Sequence, residues 1–145
     1  MTSVLTRAAA RLLLAPTFVI ALAILVKGYS DVGDGFSAGV VAALGVLVQY
    51  LAFGVRETER LLPVRFAPAA VIAGLLLALV VAFAPLAWGE PPLTHLPYAK
   101  ADVVHLGTLE LLTAVAFDVG VFLLVLGASV GIIRTIALAR LRRMA

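Results

Sequence analysis

The chain has 145 residues, of which 63% are hydrophobic and 13% are charged, and its mean hydropathy is +1.16. Ordinary soluble domains are roughly 45–50% apolar and about 25% charged, so the composition excludes a soluble globular enzyme as well as a disordered tail. The lack of cysteine excludes a disulfide scaffold, and a formal net charge of only +3 argues against nucleic-acid binding. We therefore predict an integral membrane protein.

Four long apolar segments follow one another along the chain, and each is long enough to cross a bilayer as a helix. They cover about residues 5–26, 35–55, 66–88 and 107–133. A helix needs roughly 20 apolar residues to span the hydrocarbon core, and the segments show no alternation of period two that would indicate a barrel. We predict an all-α integral membrane fold in which residues 1–145 form a single subunit of four transmembrane helices.

The basic residues predict the orientation of these helices. Nine of the eleven Lys and Arg residues lie at the N-terminus, in the loop 56–65 and after residue 133, whereas Lys27 and Lys100 lie in the other two connections. Loops rich in Lys and Arg stay on the cytoplasmic side. The N-terminus, the C-terminus and the loop 56–65 are therefore predicted to be cytoplasmic.

Asp118 is the sharpest candidate for function because it is a carboxylic acid well inside the fourth apolar segment. Placing a carboxylate at the centre of a bilayer costs at least about 2.5–3.5 kcal/mol on insertion scales, and such residues mark ion or proton routes by default. The alternative is a packing contact, in which Asp118 makes a satisfied hydrogen bond between helices. Both interpretations stay open at this point.

Glu110 and Thr113 precede Asp118 in the same segment and could extend a proton route from it. On a continuous helix, Glu110 would lie about 80° around the axis and roughly 12 Å along it from Asp118, so the two acids would share a broad face without touching. Thr113 would join such a relay between them. The alternative for Glu110 is a solvated acid near the outer end of the helix.

His95 lies in the long connection between the third and fourth segments, which is rich in proline. Without cysteine or a cluster of further ligands, a metal site is not expected there. A surface or capping histidine is the simpler interpretation, and a role in proton access stays open because histidine titrates near neutral pH.

Three blocks of sequence resemble the B subunit of Mrp-type multisubunit cation/proton antiporters, the MnhB family. The glycine-rich stretch 28–39 resembles the family's G-H-x-x-P-G-G-G-F-x-x-G turn, and residues 93–95 resemble its L-T-H motif. Residues 107–121, which include Glu110 and Asp118, resemble the signature of its last helix. The resemblance covers about residues 16–136.

The glycine-rich stretch also departs from the family pattern. Tyr29 occupies the position of the usual histidine, Val32 that of a proline and Asp34 that of a glycine. A role for a histidine in this turn is therefore not carried over. Asp34 adds a negative charge that could gather cations or only solubilise the turn.

The resemblance implies a small, non-enzymatic subunit that needs no cofactor and lies in the plasma membrane of a prokaryotic cell. Its partners would be the large antiporter-like subunits and other small membrane subunits of an Mrp-type complex, which exchanges Na⁺ for H⁺ across the lipid bilayer. The chain would help to assemble the complex and line an ion path through Asp118 and Glu110.

Two alternatives accompany this hypothesis. The chain could be the homologous subunit of a membrane-bound hydrogenase-type ion-pumping complex, or a purely structural assembly subunit. The accompanying subunits would distinguish the first alternative, and the substitution of Asp118 by asparagine would distinguish the second.

Overall fold

A computed structural model of the chain describes residues 3–28, 33–94, 105–106, 109–110 and 113–144, and it confirms the all-α fold. Within these ranges, four helices are long and apolar enough to cross a membrane. The helices are α1 (Val4–Lys27), α2 (Asp34–Phe53), the short α3 (Val55–Thr58), α4 (Leu62–Phe83), which continues as a 3-10 helix (Ala84–Trp88), and α5 (Thr113–Met144). Two strands of two residues each, β1 (His105–Leu106) and β2 (Leu109–Glu110), pair antiparallel.

The helices begin and end where local chemistry allows it. The hydroxyl of Ser3 accepts a hydrogen bond from the backbone N–H of Thr6 and so caps the start of α1. Pro63 lies in the first turn of α4, where its missing N–H costs no helical hydrogen bond. Gly54 separates α2 from α3 with φ +76°, a left-handed conformation that glycine adopts without strain.

The start of the fourth span differs from the sequence prediction. The apolar pattern predicts a helix from Gly107, whereas Glu110 belongs to β2 and α5 begins at Thr113. A short apolar run does not distinguish a strand from a helix by periodicity. At its other end α5 runs on to Met144, which makes it about 48 Å long at 1.5 Å per residue.

The long helices form an open row in the order α1, α2, α5, α4. The contacts are between α1 and α2, between α2 and α5, and between α4 and α5, and α1 meets α5 only marginally. Helix α2 is therefore the best covered. Half of its most apolar stretch of 18 residues is buried, whereas only 11% of the corresponding stretch of α1 is buried. Both outer helices present long apolar surfaces to their surroundings.

Small residues allow the helices of the row to approach closely, as is typical inside membranes. A side chain on Gly39 would meet Val125 at 2.9 Å, and one on Gly74 would meet the backbone of Leu124 at 2.5 Å. Between α1 and α2, the buried side-chain amide of Gln49 donates to the backbone carbonyl of Ala10 at 2.6 Å. The row is thus held by close backbone contacts, by a buried polar contact between α1 and α2, and by a core of apolar side chains.

The helix directions place three basic regions at one end of the row. Pairs of contacts give the helix directions: α1 and α2 are antiparallel, α4 and α5 are antiparallel, and α2 and α5 are parallel. The contacts are Gly45–Thr17 with Gln49–Ala10, Gly127–Ala67 with Gly74–Leu124, and Gly35–Asp118 with Gly39–Val125. The start of α1, the connection between α2 and α4, and the end of α5 therefore lie together, and we call this the arginine-rich end. That it faces the cytoplasm stays a prediction from the positive-inside rule.

Candidate functional site

Asp118 is buried between α5 and the beginning of α2. Its side chain is 4% exposed, and its Oδ2 accepts a hydrogen bond of 3.2 Å from the backbone N–H of Gly33. Gly33 is the residue that precedes α2, so the carboxyl group lies at the end of that helix where the dipole favours negative charge. The buried acid is therefore accommodated by a helix terminus of the same chain.

Three glycines, Gly28, Gly33 and Gly35, lie around Asp118. We call these four residues, together with Asp34, the Asp118 junction. A Cβ on Gly28 would lie 3.2 Å from Oδ2 of Asp118, and a Cβ on Gly35 would overlap its backbone carbonyl oxygen. Gly33 has φ +117°, which an L side chain rarely adopts. Gly28 thus allows the end of α1 to approach Asp118, Gly35 allows α5 to approach α2, and Gly33 allows the turn before α2.

The junction also brings Asp34 to Asp118, although the two are far apart in sequence. A Cβ on Gly28 would lie 3.0 Å from the Asp34 Cβ, so both acidic residues border the same point. Asp34 is the first residue of α2 and is half-buried. The Asp118 junction therefore holds two acidic residues beside the end of α1 and the start of α2.

The remaining predicted site residues fall elsewhere. Glu110 lies in β2 and not on α5, so the predicted common helix face with Asp118 does not exist. Thr113 is the first residue of α5, five residues before Asp118, and is half-buried. His95 lies outside the described residues. The structure therefore places Asp34 beside Asp118 at Gly28, whereas Glu110 belongs to a different element from Asp118.

A second polar group at the arginine-rich end was not predicted. Nε of Arg134 donates to both carboxylate oxygens of Glu59 at 2.9 and 3.0 Å, and the hydroxyl of Tyr50 donates to the same carboxylate at 3.0 Å. The group ties α2, α5 and the connection before α4 together. The sequence signal was the position of Arg134, directly after the long uncharged part of α5 and six residues before the next arginine.

Glu59 gives the arginine-rich end a dependence on pH. The hydrogen bond from Arg134 lowers the pKa of Glu59 below its usual value, although partial burial acts in the opposite direction. A carboxyl group with a lowered pKa stabilises the folded state above its unfolded pKa of about 4.3. That stabilisation is lost as the pH falls through the folded-state pKa.

We expect Glu59→Gln to lower the free energy of unfolding by about 1 kcal/mol at pH 7, as is usual for a partly exposed ion pair. Glutamine still accepts hydrogen bonds but lacks the charge. Heat-induced aggregation of the detergent-extracted chain measures the change, with Glu90→Gln at the opposite end as the matched control. The difference from wild type should shrink as the pH falls below the unfolded-state pKa of about 4.3; a difference that does not change with pH would contradict the assignment.

Comparison with known proteins agrees with this architecture. The sequence model of the domain related to the MnhB subunit of Na⁺/H⁺ antiporter matches residues 5–131. The chain is similar to the B subunit of the Na⁺/H⁺ antiporter of Alkalihalophilus pseudofirmus, with 36% identity over 76% of this chain and 75% of that protein. The Bacillus subtilis protein of the same name is 36% identical over 78% of each chain.

A third relative is much longer. The probable A/B subunit of a K⁺/H⁺ antiporter of Rhizobium meliloti is 37% identical over 83% of this chain, and the match covers 12% of that protein. In that protein the matching region is thus one small part of a longer polypeptide. The match of residues 5–131 contains α1 except its first residue, α2 to α4, and the complete Asp118 junction. The chain belongs to the family of domains related to the MnhB subunit of Na⁺/H⁺ antiporters.

Proposed function

We propose that the chain is a small subunit of a multisubunit cation/proton antiporter. The observation that carries this proposal is the family match across residues 5–131, together with two bacterial antiporter B subunits at 36% identity over most of their length. The four span-capable helices make the chain a multi-pass protein of the plasma membrane. Its role is in transport and assembly rather than in catalysis of a chemical reaction.

The open row of helices fits a protein that is completed by other subunits. Helices α1 and α4 leave most of their apolar surface uncovered within the chain. The Rhizobium meliloti relative, whose name joins an A and a B subunit, contains a region like this chain within a longer polypeptide. We therefore propose a large antiporter subunit of the A type as a direct neighbour, with other small membrane subunits beside it.

Asp118 is the residue through which the chain takes part in exchange. Because Oδ2 holds the hydrogen bond from Gly33, the carboxyl group can bind a proton at Oδ1 without releasing the start of α2. Asp34 adds a second acidic residue beside the same glycine. In the Asp118 junction, a carboxyl group that can take up and release a proton is thus held in place by its hydrogen bond from Gly33. Glu110 precedes α5 and serves the approach to the junction rather than a common helix face.

The hydrogen bond to Gly33 also favours a second function for Asp118, that of a positioning group. In that case the oxygen acceptor alone is needed, and the charge is dispensable. The two functions predict opposite results for an asparagine in place of Asp118.

The composition of the particle tests the proposed assembly. We expect a tagged chain, extracted from its native membrane in mild detergent, to co-purify with antiporter-like membrane subunits. Mass spectrometry identifies them. Co-purification of hydrogenase or iron–sulfur subunits would instead assign the chain to the related ion-pumping complexes, and recovery of the chain alone would contradict both assignments.

A further inference from the structure

We propose that the arginine-rich end carries a binding site for an anionic phospholipid, in a groove between α2, α3 and α5. The groove has a volume of about 430 Å³, within the roughly 300–1,000 Å³ of ordinary ligand sites. Its lining is almost entirely apolar, with Leu47 and Leu51 from α2, Val55 from α3, and Ile133 and Ile136 from α5. This inference rests on the chain lying in a membrane and not on the proposed antiporter function.

One charged side chain lines the groove, and it is a cation. Arg140 is exposed and has no ion pair among the described residues, in contrast to Arg134, which is neutralised by Glu59. Arginine binds phosphate through a planar fork of N–H donors. The groove therefore combines an apolar slot with an arginine side chain that is available to bind a phosphate group.

The length of the groove along α5 matches the distance from the acyl-chain region of a bilayer to its headgroups. Ile133 and Arg140 are separated by about 10 Å along α5, and the headgroup region extends about 5–8 Å beyond the hydrocarbon core on each side. Helix α5, at about 48 Å, is longer than the hydrocarbon core of about 30 Å. An acyl chain beside Ile133 would thus place its phosphate near Arg140.

Charge favours a lipid over a helix of a neighbouring protein. An apolar helix laid into the groove would cover Arg140 without neutralising it, which is costly. A phospholipid brings the apolar chain and the negative charge together. A zwitterionic lipid would fill the slot but supply no net charge, so we commit to an anionic phospholipid.

Photo-cross-linking in native membranes tests the site. Phosphatidylglycerol with a diazirine in its acyl chain is added to membranes that contain the tagged chain, and adducts are mapped by mass spectrometry and normalised to the chain recovered. We expect adducts on the parts of α2 and α5 that line the groove. Phosphatidylcholine carrying the same diazirine should label these positions less.

Three variants isolate the role of Arg140. Arg140→Gln should lower labelling by phosphatidylglycerol about fivefold, the effect expected for one cation near an anionic membrane surface, and Arg140→Lys should retain most of it. Arg142→Gln removes an equal charge from the opposite face of α5 and should change labelling little. Equal labelling by both lipids, equal labelling of wild type and Arg140→Gln, or no adducts in the groove would each overturn the proposal.

Discussion

We expect Gly35→Ala to lower the amount of folded chain in the membrane several-fold. An added Cβ would overlap the backbone carbonyl oxygen of Asp118, and a backbone atom cannot rotate away as a side chain can. Helices α2 and α5 would have to separate, which lengthens the hydrogen bond between Gly33 and Asp118. Overpacking of this kind costs about 1–3 kcal/mol and occasionally more, enough to lower abundance several-fold.

Gly131→Ala is the matched control for this prediction. Gly131 is also a helical glycine, but a Cβ there would have nothing within 4 Å. Alanine favours helix over glycine by up to about 1 kcal/mol, so this variant should be at least as abundant as wild type. Immunoblotting of tagged chains in isolated membranes measures both. Equal abundance of the two variants would show that α2 and α5 do not meet at Gly35.

Asp118→Asn is expected to assemble normally and to lose cation/proton exchange. Asparagine has nearly the same shape, and its carbonyl oxygen can accept the hydrogen bond from Gly33. It carries no charge and does not exchange a proton at neutral pH. The variant therefore separates the positioning function, which it keeps, from the exchange function, which it lacks.

Asp118→Ala provides the contrast to the asparagine variant. It removes the acceptor as well as the charge, and the exposed N–H of Gly33 loses its hydrogen bond to Asp118. A hydrogen bond contributes about 0.5–1.5 kcal/mol to stability, so assembly itself should decline. A normally assembled alanine variant would show that the hydrogen bond contributes little to the junction.

The sequence predicted the four apolar helices because membrane helices are defined by long uncharged runs. The predicted limits of the first and second spans lie within two residues of α1 and α2. The order of helices in the row could not be predicted in the same way. Helices that are apolar on all sides carry no amphipathic stripe to show which face meets which neighbour.

The candidate site was predicted in part. Asp118 stood out because an acid within an apolar run is costly, and that reasoning depends on sequence alone. Asp34 was predicted either to gather cations or only to solubilise the turn, and its place beside Asp118 was not predicted, because nothing in a single sequence shows that Gly28 and Gly35 bring α5 against this turn. Glu110 was assigned to the helix because a two-residue strand has too little periodicity to be recognised.

The initial rate of Na⁺-driven proton movement in everted membrane vesicles tests the central claim most directly. Vesicles with wild-type chain, with Asp118→Asn and without the chain are compared, each normalised to the assembled complex where it is present. We predict exchange for wild type, and for Asp118→Asn a rate as low as without the chain, despite normal assembly. Wild-type exchange by Asp118→Asn would limit Asp118 to a positioning function, and exchange in vesicles without the chain would contradict its function in the antiporter.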